Sequence, residues 1–167
     1  TLLNYLTAKM DDKFKNLPLR NGVGIIVLNK ENKVFVARRI DNPKNFWQMP
    51  QGGVDKGESL LEAAYRELEE ETNITNVKLI KEIEGTLTYE LPAHLLGKIW
   101  KGKYKGQKQK WFLMRFLGFD SDINIKTKNP EFIEWKWINL EQITNVVVDF
   151  KLHVYKDLKD RINKIIN

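Results

Sequence analysis

The sequence predicts an α+β fold, a single domain in which a mixed sheet packs between helices. Several short segments are rich in β-branched and aromatic residues, the composition of strands. A pair of longer segments instead carries apolar residues at three- and four-residue spacing, the period of an amphipathic helix. No internal repeat, low-complexity stretch or linker interrupts them, and 167 residues suit one compact domain with a sizeable core.

Along the chain, residues 1–18 read as an N-terminal extension. Leu2, Leu3, Leu6 and Met10 are spaced for a short amphipathic helix, the alternative being a poorly ordered arm. The domain proper is expected over residues 19–167. Val23 to Leu28 is a continuous apolar run, as in a buried strand, and after a turn at Glu31-Asn32 a second strand follows over Val34 to Ala37. A loop around Pro43 leads through Trp47-Gln48-Met49-Pro50 to the first helix. Val77 to Ile83 alternates as a strand, and Thr86 to Leu91 fits another. Pro92 opens a helix-breaking stretch into a lysine-rich loop, segment 98–110. Lys110 to Leu117 and Phe132 to Ile138 are strand-like, and Leu140 to Thr144 fits a short helix. Phe150 to Ile166 is a long helix with Tyr155, Leu158, Ile162 and Ile165 as its core-facing stripe.

Composition narrows the function. There is no cysteine, which excludes disulfides and thiolate metal sites and fits a reducing compartment. No apolar run reaches the ~20 residues a membrane helix needs, and the N-terminus lacks the layout of a signal peptide. The cytoplasm is therefore the expected location. The net charge of +6 favours an anionic partner. Segment 98–110, KIWKGKYKGQKQK, sets lysines among Trp100 and Tyr104, a combination suited to phosphate attraction and base stacking. On composition alone, a solvated lysine-rich loop is the simpler reading. His94 and His153 have no partner spacing for a triad or a zinc site.

The most informative stretch is GGVDKGESLLEAAYRELEEETNI, Gly52 to Ile74. Each helical residue advances about 100° around the axis, so Glu67, Glu70 and Glu71 share one face. Leu61, Ala64 and Leu68 form an apolar stripe beside it, while Glu62 and Glu69 point elsewhere. Like charges at this spacing repel by ~0.2–0.5 kcal/mol per pair. Divalent cations relieve that repulsion, and an all-oxygen cluster suits Mg²⁺ or Mn²⁺. Gly52, Gly53 and Gly57 make the approach loop, where close backbone approach to a metal or phosphate is possible. Ser59 with Glu62 reads as a capping box, and Asn73 stands where a left-handed residue would end the helix.

These residues resemble the Nudix hydrolase signature, G-x(5)-E-x(7)-R-E-U-x-E-E-x-G-U, where U is a bulky aliphatic. Here it reads Gly52, Glu58, Arg66, Glu67, Leu68, Glu70, Glu71, Asn73 and Ile74, with Asn73 replacing the last glycine. The resemblance implies the Nudix fold, an α/β/α sandwich with a mixed β-sheet, and hydrolysis of phosphoric anhydride bonds. Outside the signature, Ala37-Arg38-Arg39, Trp47 to Gly53, Gly106 to Phe112, Asn129 to Phe132, Phe150-Lys151 and Val154-Tyr155 are similar to bacterial RNA 5′-pyrophosphohydrolases. That branch overlaps with dinucleoside polyphosphate hydrolases. One departure is Asn21, where the branch usually has proline after Arg20.

By this resemblance, Glu67, Glu70, Glu71, the Gly52 carbonyl and Glu131 ligate Mg²⁺, with Mn²⁺ as a substitute and more than one ion per site. Glu67 helps to activate water and Arg66 orients the carboxylates. Gly53, Glu58 and Asn73 are structural within the motif. Arg20, Arg38, Arg39, Gln107, Lys108 and Lys110 are candidates for binding the phosphates or backbone. Phe150 would stack on a base, with Tyr89 and Lys151 nearby. The implied substrate is 5′-triphosphorylated RNA, converted to a 5′-monophosphate, or a dinucleoside polyphosphate such as diadenosine tetraphosphate. A non-catalytic nucleotide- or RNA-binding module would be expected to lose the glutamates, and all are present. Neither DNA nor a membrane is an expected partner, and a monomer is the expected state.

Overall fold

The computed structural model describes residues 1–5, 14, 16–42 and 44–167, so the expected helix through Leu6 and Met10 lies outside the described residues. At the centre of a mixed eight-stranded sheet runs β1 (Leu19–Leu28). It pairs parallel with β7 (Gly106–Phe116), from Leu19↔Gly106 to Leu28↔Arg115. It also pairs antiparallel with β2 (Val34–Arg39) and with the short β4 (Gln51–Gly53). β3 (Trp47–Gln48) and β8 (Phe132–Ile138) add to β2, while β5 (Val77–Glu82) and β6 (Leu87–Glu90) add to β7.

The pleat of β1 divides the core in two. Val23, Ile25 and Val27 face one side, where α1 (Leu60–Thr72) lays down Ala63, Ala64 and Leu68. Ile26 and Leu28 face the other, against Ile143 of α2 (Ile143–Val146) and Val154, Tyr155, Leu158 and Ile162 of α3 (Leu152–Ile166). Helices thus cover both faces, giving the α/β/α sandwich. Covering both faces is also why β1 and β2 read as continuous apolar runs rather than as alternating ones. Tyr155 ties the second layer to the site loop, because its hydroxyl accepts the Met49 amide at 2.8 Å.

The sequence reading needs correction at three places. Segment 106–110 is not loop but the first half of β7, paired on one side with β1 and on the other with β6. Two strands satisfy that backbone, which outweighs the weak strand propensity of Gly, Gln and Lys. Residues 47–53, read only as an approach to the helix, contribute β3 and β4. Phe150 lies not in α3 but in a 3₁₀ turn, Asp149–Lys151, that precedes it. Among the described residues, no helix is long and apolar enough to cross a membrane.

Candidate active site

The ends of α1 set the carboxylates. Ser59 Oγ accepts the Glu62 amide at 3.1 Å at the N-terminus. Asn73, at φ 61° and ψ 12°, takes the left-handed conformation at the other end and returns its amide to the Glu69 carbonyl at 2.9 Å. Between these caps, Glu67, Glu70 and Glu71 do share a face, but their surroundings differ. Glu70 is largely exposed, Glu67 is half-buried, and Glu71 is only 4 % exposed beneath the site.

Arg66 organises the exposed half. Its Nε donates to Glu58 at 2.7 Å and its Nη2 to the same carboxylate at 2.9 Å. Nη2 also reaches the Gly53 carbonyl at 2.9 Å, and Nη1 holds Glu67 at 2.9 Å and Glu70 at 3.2 Å. Glu58 accepts the Asp55 amide at 3.0 Å, which fixes the approach loop. The guanidinium fork thereby locks loop and helix together through charge-assisted bonds. This pairing lowers the Glu58 pKa to about 2, chiefly through the Arg66 hydrogen bond, and raises that of Arg66.

At Gly52 and Gly53 neighbouring side chains occupy the space a Cβ would take. A Cβ on Gly52 would collide with the Glu67 carboxyl, and one on Gly53 with the Arg20 guanidinium. The loop backbone therefore lies directly against the carboxylate that α1 presents.

The charge of the buried half is only partly compensated. Burial pushes the Glu71 pKa well above the carboxylate range, and the like charges of Glu131 and Glu67 push it further. One Glu71 oxygen is buried without a partner among the described residues. Glu67 is also raised, by burial first, with Arg66 opposing. Arg39 answers part of this charge, pairing with Asp41 at 2.8 Å and approaching Glu131 at 3.7 Å. A buried, orphaned carboxylate oxygen between like charges is the environment that a divalent cation would neutralise. Glu71, Glu67 and Glu131 therefore fit a metal. Among the described residues, no three acidic or histidine side chains yet converge as a finished cage, and Glu70 is turned toward Arg66.

A third group lies on the opposite face of the sheet. Lys151, 8 % exposed, holds its ammonium 5.3 Å over the Tyr89 ring and 6.0 Å over that of Phe150. The two rings lie 5.7 Å apart. Burial, aided by the repulsion of Arg39 and opposed by Glu71, lowers the Lys151 pKa to about 7. Tyr89 accepts from Gln107 at 3.0 Å, and Gln109 donates to Gln51 at 3.0 Å. Oxygens of Gln107 and Gln109 are buried without partners among the described residues.

Most of the residues singled out from sequence gather here, but not all. Arg20 lies against Gly53 and over the Trp100 ring at 5.6 Å. Lys108 is exposed on β7. Arg38, read as a phosphate or backbone contact, pairs with Glu134 at 3.4 Å, and Lys110 is engaged by Glu82 at 3.3 Å and by the Gly85 carbonyl at 3.1 Å. The sequence reading missed Gln51 and Gln109. The signal for Gln109 was the alternation in GQKQKW, which puts Gln107, Gln109 and Trp111 on one face once the segment is a strand.

Residues 18–158 match the family model described as NUDIX domain. The chain is 73% identical over 158 residues to an RNA pyrophosphohydrolase of Pelagibacter ubique (strain HTCC1062), covering 95% of this chain and 100% of that one. It is 49% identical over 142 residues to an RNA pyrophosphohydrolase of Rhodospirillum rubrum, covering 85% and 86%. Among solved structures, the E. coli dihydroneopterin triphosphate pyrophosphohydrolase superposes with a TM-score of 0.68 at 21% identity, covering 87% of this chain and 99% of that one. A C. elegans Ap4A hydrolase binary complex superposes at 0.61, also at 21% identity, covering 86% and 98%. At these identities the superpositions speak to the fold alone.

Proposed function

The chain belongs to the Nudix family of hydrolases, and from that premise we propose that it removes pyrophosphate from the 5′-triphosphate end of RNA in the cytoplasm, leaving a 5′-monophosphate. Nudix hydrolases cleave pyrophosphate bonds with divalent metal ions. The RNA substrate is supported by relatives named RNA pyrophosphohydrolase that match along nearly the whole chain. One structural observation carries the chemistry: Glu71 is buried beside Glu131 and Glu67 with an oxygen unpartnered among the described residues, and the Lys151 cation lies near enough to feel its charge.

Glu67, Glu70, Glu71, Glu131 and the Gly52 carbonyl would hold Mg²⁺, with Mn²⁺ as a substitute and more than one ion. The metal, when bound, lowers the pKa of water and neutralises phosphate charge. Every other part falls to the chain. Glu67, which lies against Gly52, would take the proton of the attacking water. Arg66, bonded to Glu67 and Glu70, would keep them in register rather than touch substrate. Arg20 and Arg39 would clamp the phosphates, with Lys108 contacting the backbone. Phe150 would stack on a base, with Lys151 and Tyr89 against it.

The test is a side-by-side rate measurement with Mg²⁺ on triphosphorylated RNA, diadenosine tetraphosphate and a nucleoside triphosphate. The proposal requires RNA to have the highest kcat/KM. Preference for diadenosine tetraphosphate would make the chain a dinucleoside polyphosphate hydrolase. Cleavage of the nucleoside triphosphate alone would remove the RNA assignment.

A further inference from the structure

Between β6 and β7 the chain makes a basic, aromatic excursion that the proposed reaction leaves unused. It is pinned at its base, where the Lys105 amide donates to the Pro18 carbonyl at 3.1 Å and the Leu91 amide to the Lys105 carbonyl at 2.7 Å. Trp100 packs against the core layer of α2 and α3. Tyr104 stands edge-on to Trp100, with ring centroids 6.3 Å apart. The Arg20 guanidinium covers the Trp100 ring at 5.6 Å. This stack is held by an uncommon backbone: Trp100 at φ 50° and Lys101 at φ 57° are both left-handed without being glycine. Consecutive left-handed residues of this kind persist where the surroundings enforce them, commonly at ligand clamps. Lys98, Lys101 and Lys103 form no ion pair among the described residues.

The Tyr104 ring is not closed off. It lines a cleft of about 260 Å³ together with Arg20, Asn21, Gly53, Asp55 and Glu67. This cleft therefore opens onto the carboxylate at one end of the catalytic row. At the other end, Glu71 is accompanied by Glu131 and Arg39, with Lys151, Phe150 and Tyr89 beyond them. Glu67 and Glu71 are one turn apart, about 6 Å along α1. Aromatic groups thus stand at both ends of the row: Phe150 beneath the Lys151 ammonium, and Tyr104 beside the Trp100 ring that Arg20 covers.

We propose that Tyr104, buttressed by the Trp100 ring that Arg20 covers, is a second nucleobase shelf, taking a base carried on the substrate beyond the one held at Phe150. The proposal rests on reading the site as a nucleotide polyphosphate hydrolase. A flat base on a phosphate is the common chemistry, and two sources present it. One is the next nucleotide of an RNA, the other the far nucleoside of a dinucleoside polyphosphate.

The experiment compares wild type, Tyr104→Ala, Tyr104→Leu and Tyr104→Phe on a triphosphorylated dinucleotide RNA, diadenosine tetraphosphate and ATP. Within each variant, kcat/KM on each two-base substrate is divided by that on ATP. Loss of one stacking partner should lower this ratio about tenfold in the Ala and Leu variants, and Phe should restore it. A fall confined to RNA assigns the shelf to the next nucleotide, and one confined to diadenosine tetraphosphate assigns it to the far nucleoside. Unchanged ratios for both substrates overturn the shelf. Binding of the same dinucleotide and of ATP is also measured in EDTA, so that the shelf is tested even if wild type cleaves none of the three. The dinucleotide should lose affinity relative to ATP in Tyr104→Ala, and equal affinities would overturn the proposal independently of the hydrolase reading.

Discussion

At the scale of single residues, Lys151 has the most distinctive chemistry. An ordinary lysine keeps its proton to about 10.5, but burial, with Arg39 nearby, brings this one to about 7 in the free protein. The sign follows directly. Below pH 7 the folded protein carries the ammonium, and above it the amine is neutral while the unfolded chain would still be charged. The positive charge that would stand beside a bound nucleotide is thus lost as pH rises through about 7, and bound phosphate would draw the proton back. Since kcat/KM reports the free enzyme and kcat the complex, kcat/KM should fall above pH 7 while kcat holds. A pH profile of Lys151→Met should lack that limb. An identical limb in the variant would assign the titration to another group. Sequence could name Lys151 only through the family resemblance. Its burial depends on the 3₁₀ turn that sets it against Tyr89, a residue far away in the chain.

At the scale of elements, α1 was legible and the first half of β7 was not, for the same physical reason. Helix signals are local: the spacing of Glu67, Glu70 and Glu71, the cap at Ser59 and the stop at Asn73 all lie within one segment. Asn73 is left-handed, and its side chain also donates to the Asn124 carbonyl. Asn73→Gly keeps the backbone conformation but loses that bond, so it should cost only about 0.5–1.5 kcal/mol in thermal unfolding. Asn73→Val should cost about 1–2 kcal/mol, because a β-branched residue is strained there. Strand signals are not local. Gly106 to Lys110 becomes a strand because β1 and β6 flank it, and no property of KGQKQK announces those partners. The consequence reaches function, since Lys108 and Lys110 are not equivalent as a loop reading would make them. Lys110 is already held by Glu82 and Gly85, whereas Lys108 is exposed. Lys108→Ala should flatten the salt dependence of RNA binding by about 0.7–0.9 in log–log slope, the contribution of one phosphate contact. Lys110→Ala should change that slope little. Equal changes in a salt titration would return both lysines to a common binding surface.

At the scale of the whole molecule, the fold places a destabilised group where the chemistry is needed. Two apolar layers, one under α1 and one under α2 and α3, hold the sheet rigid from both sides. That rigidity lets Glu71 be buried beside Glu131 and Glu67 with an oxygen lacking a partner among the described residues. A carboxylate whose folded pKa lies above its unfolded one takes stability away as pH rises past the ordinary range, because it must ionise in an unfavourable place. At neutral pH without metal, Glu71 therefore opposes folding. Glu71→Gln should remove that cost with little change in volume, so the metal-free variant should melt at a higher temperature than metal-free wild type. Divalent metal should reverse the order. Binding only to the folded state adds about 2.7 kcal/mol at a hundred times Kd, and the variant has lost a carboxylate that would take part. Wild type should therefore gain markedly in Tm on titration with Mg²⁺ or Mn²⁺, and Glu71→Gln far less, with turnover nearly abolished. Thermal melts of both proteins in EDTA and across a metal titration decide the matter. A wild type already more stable than Glu71→Gln in EDTA would mean that other groups compensate Glu71, and the case for a metal at this carboxylate would lose its physical basis.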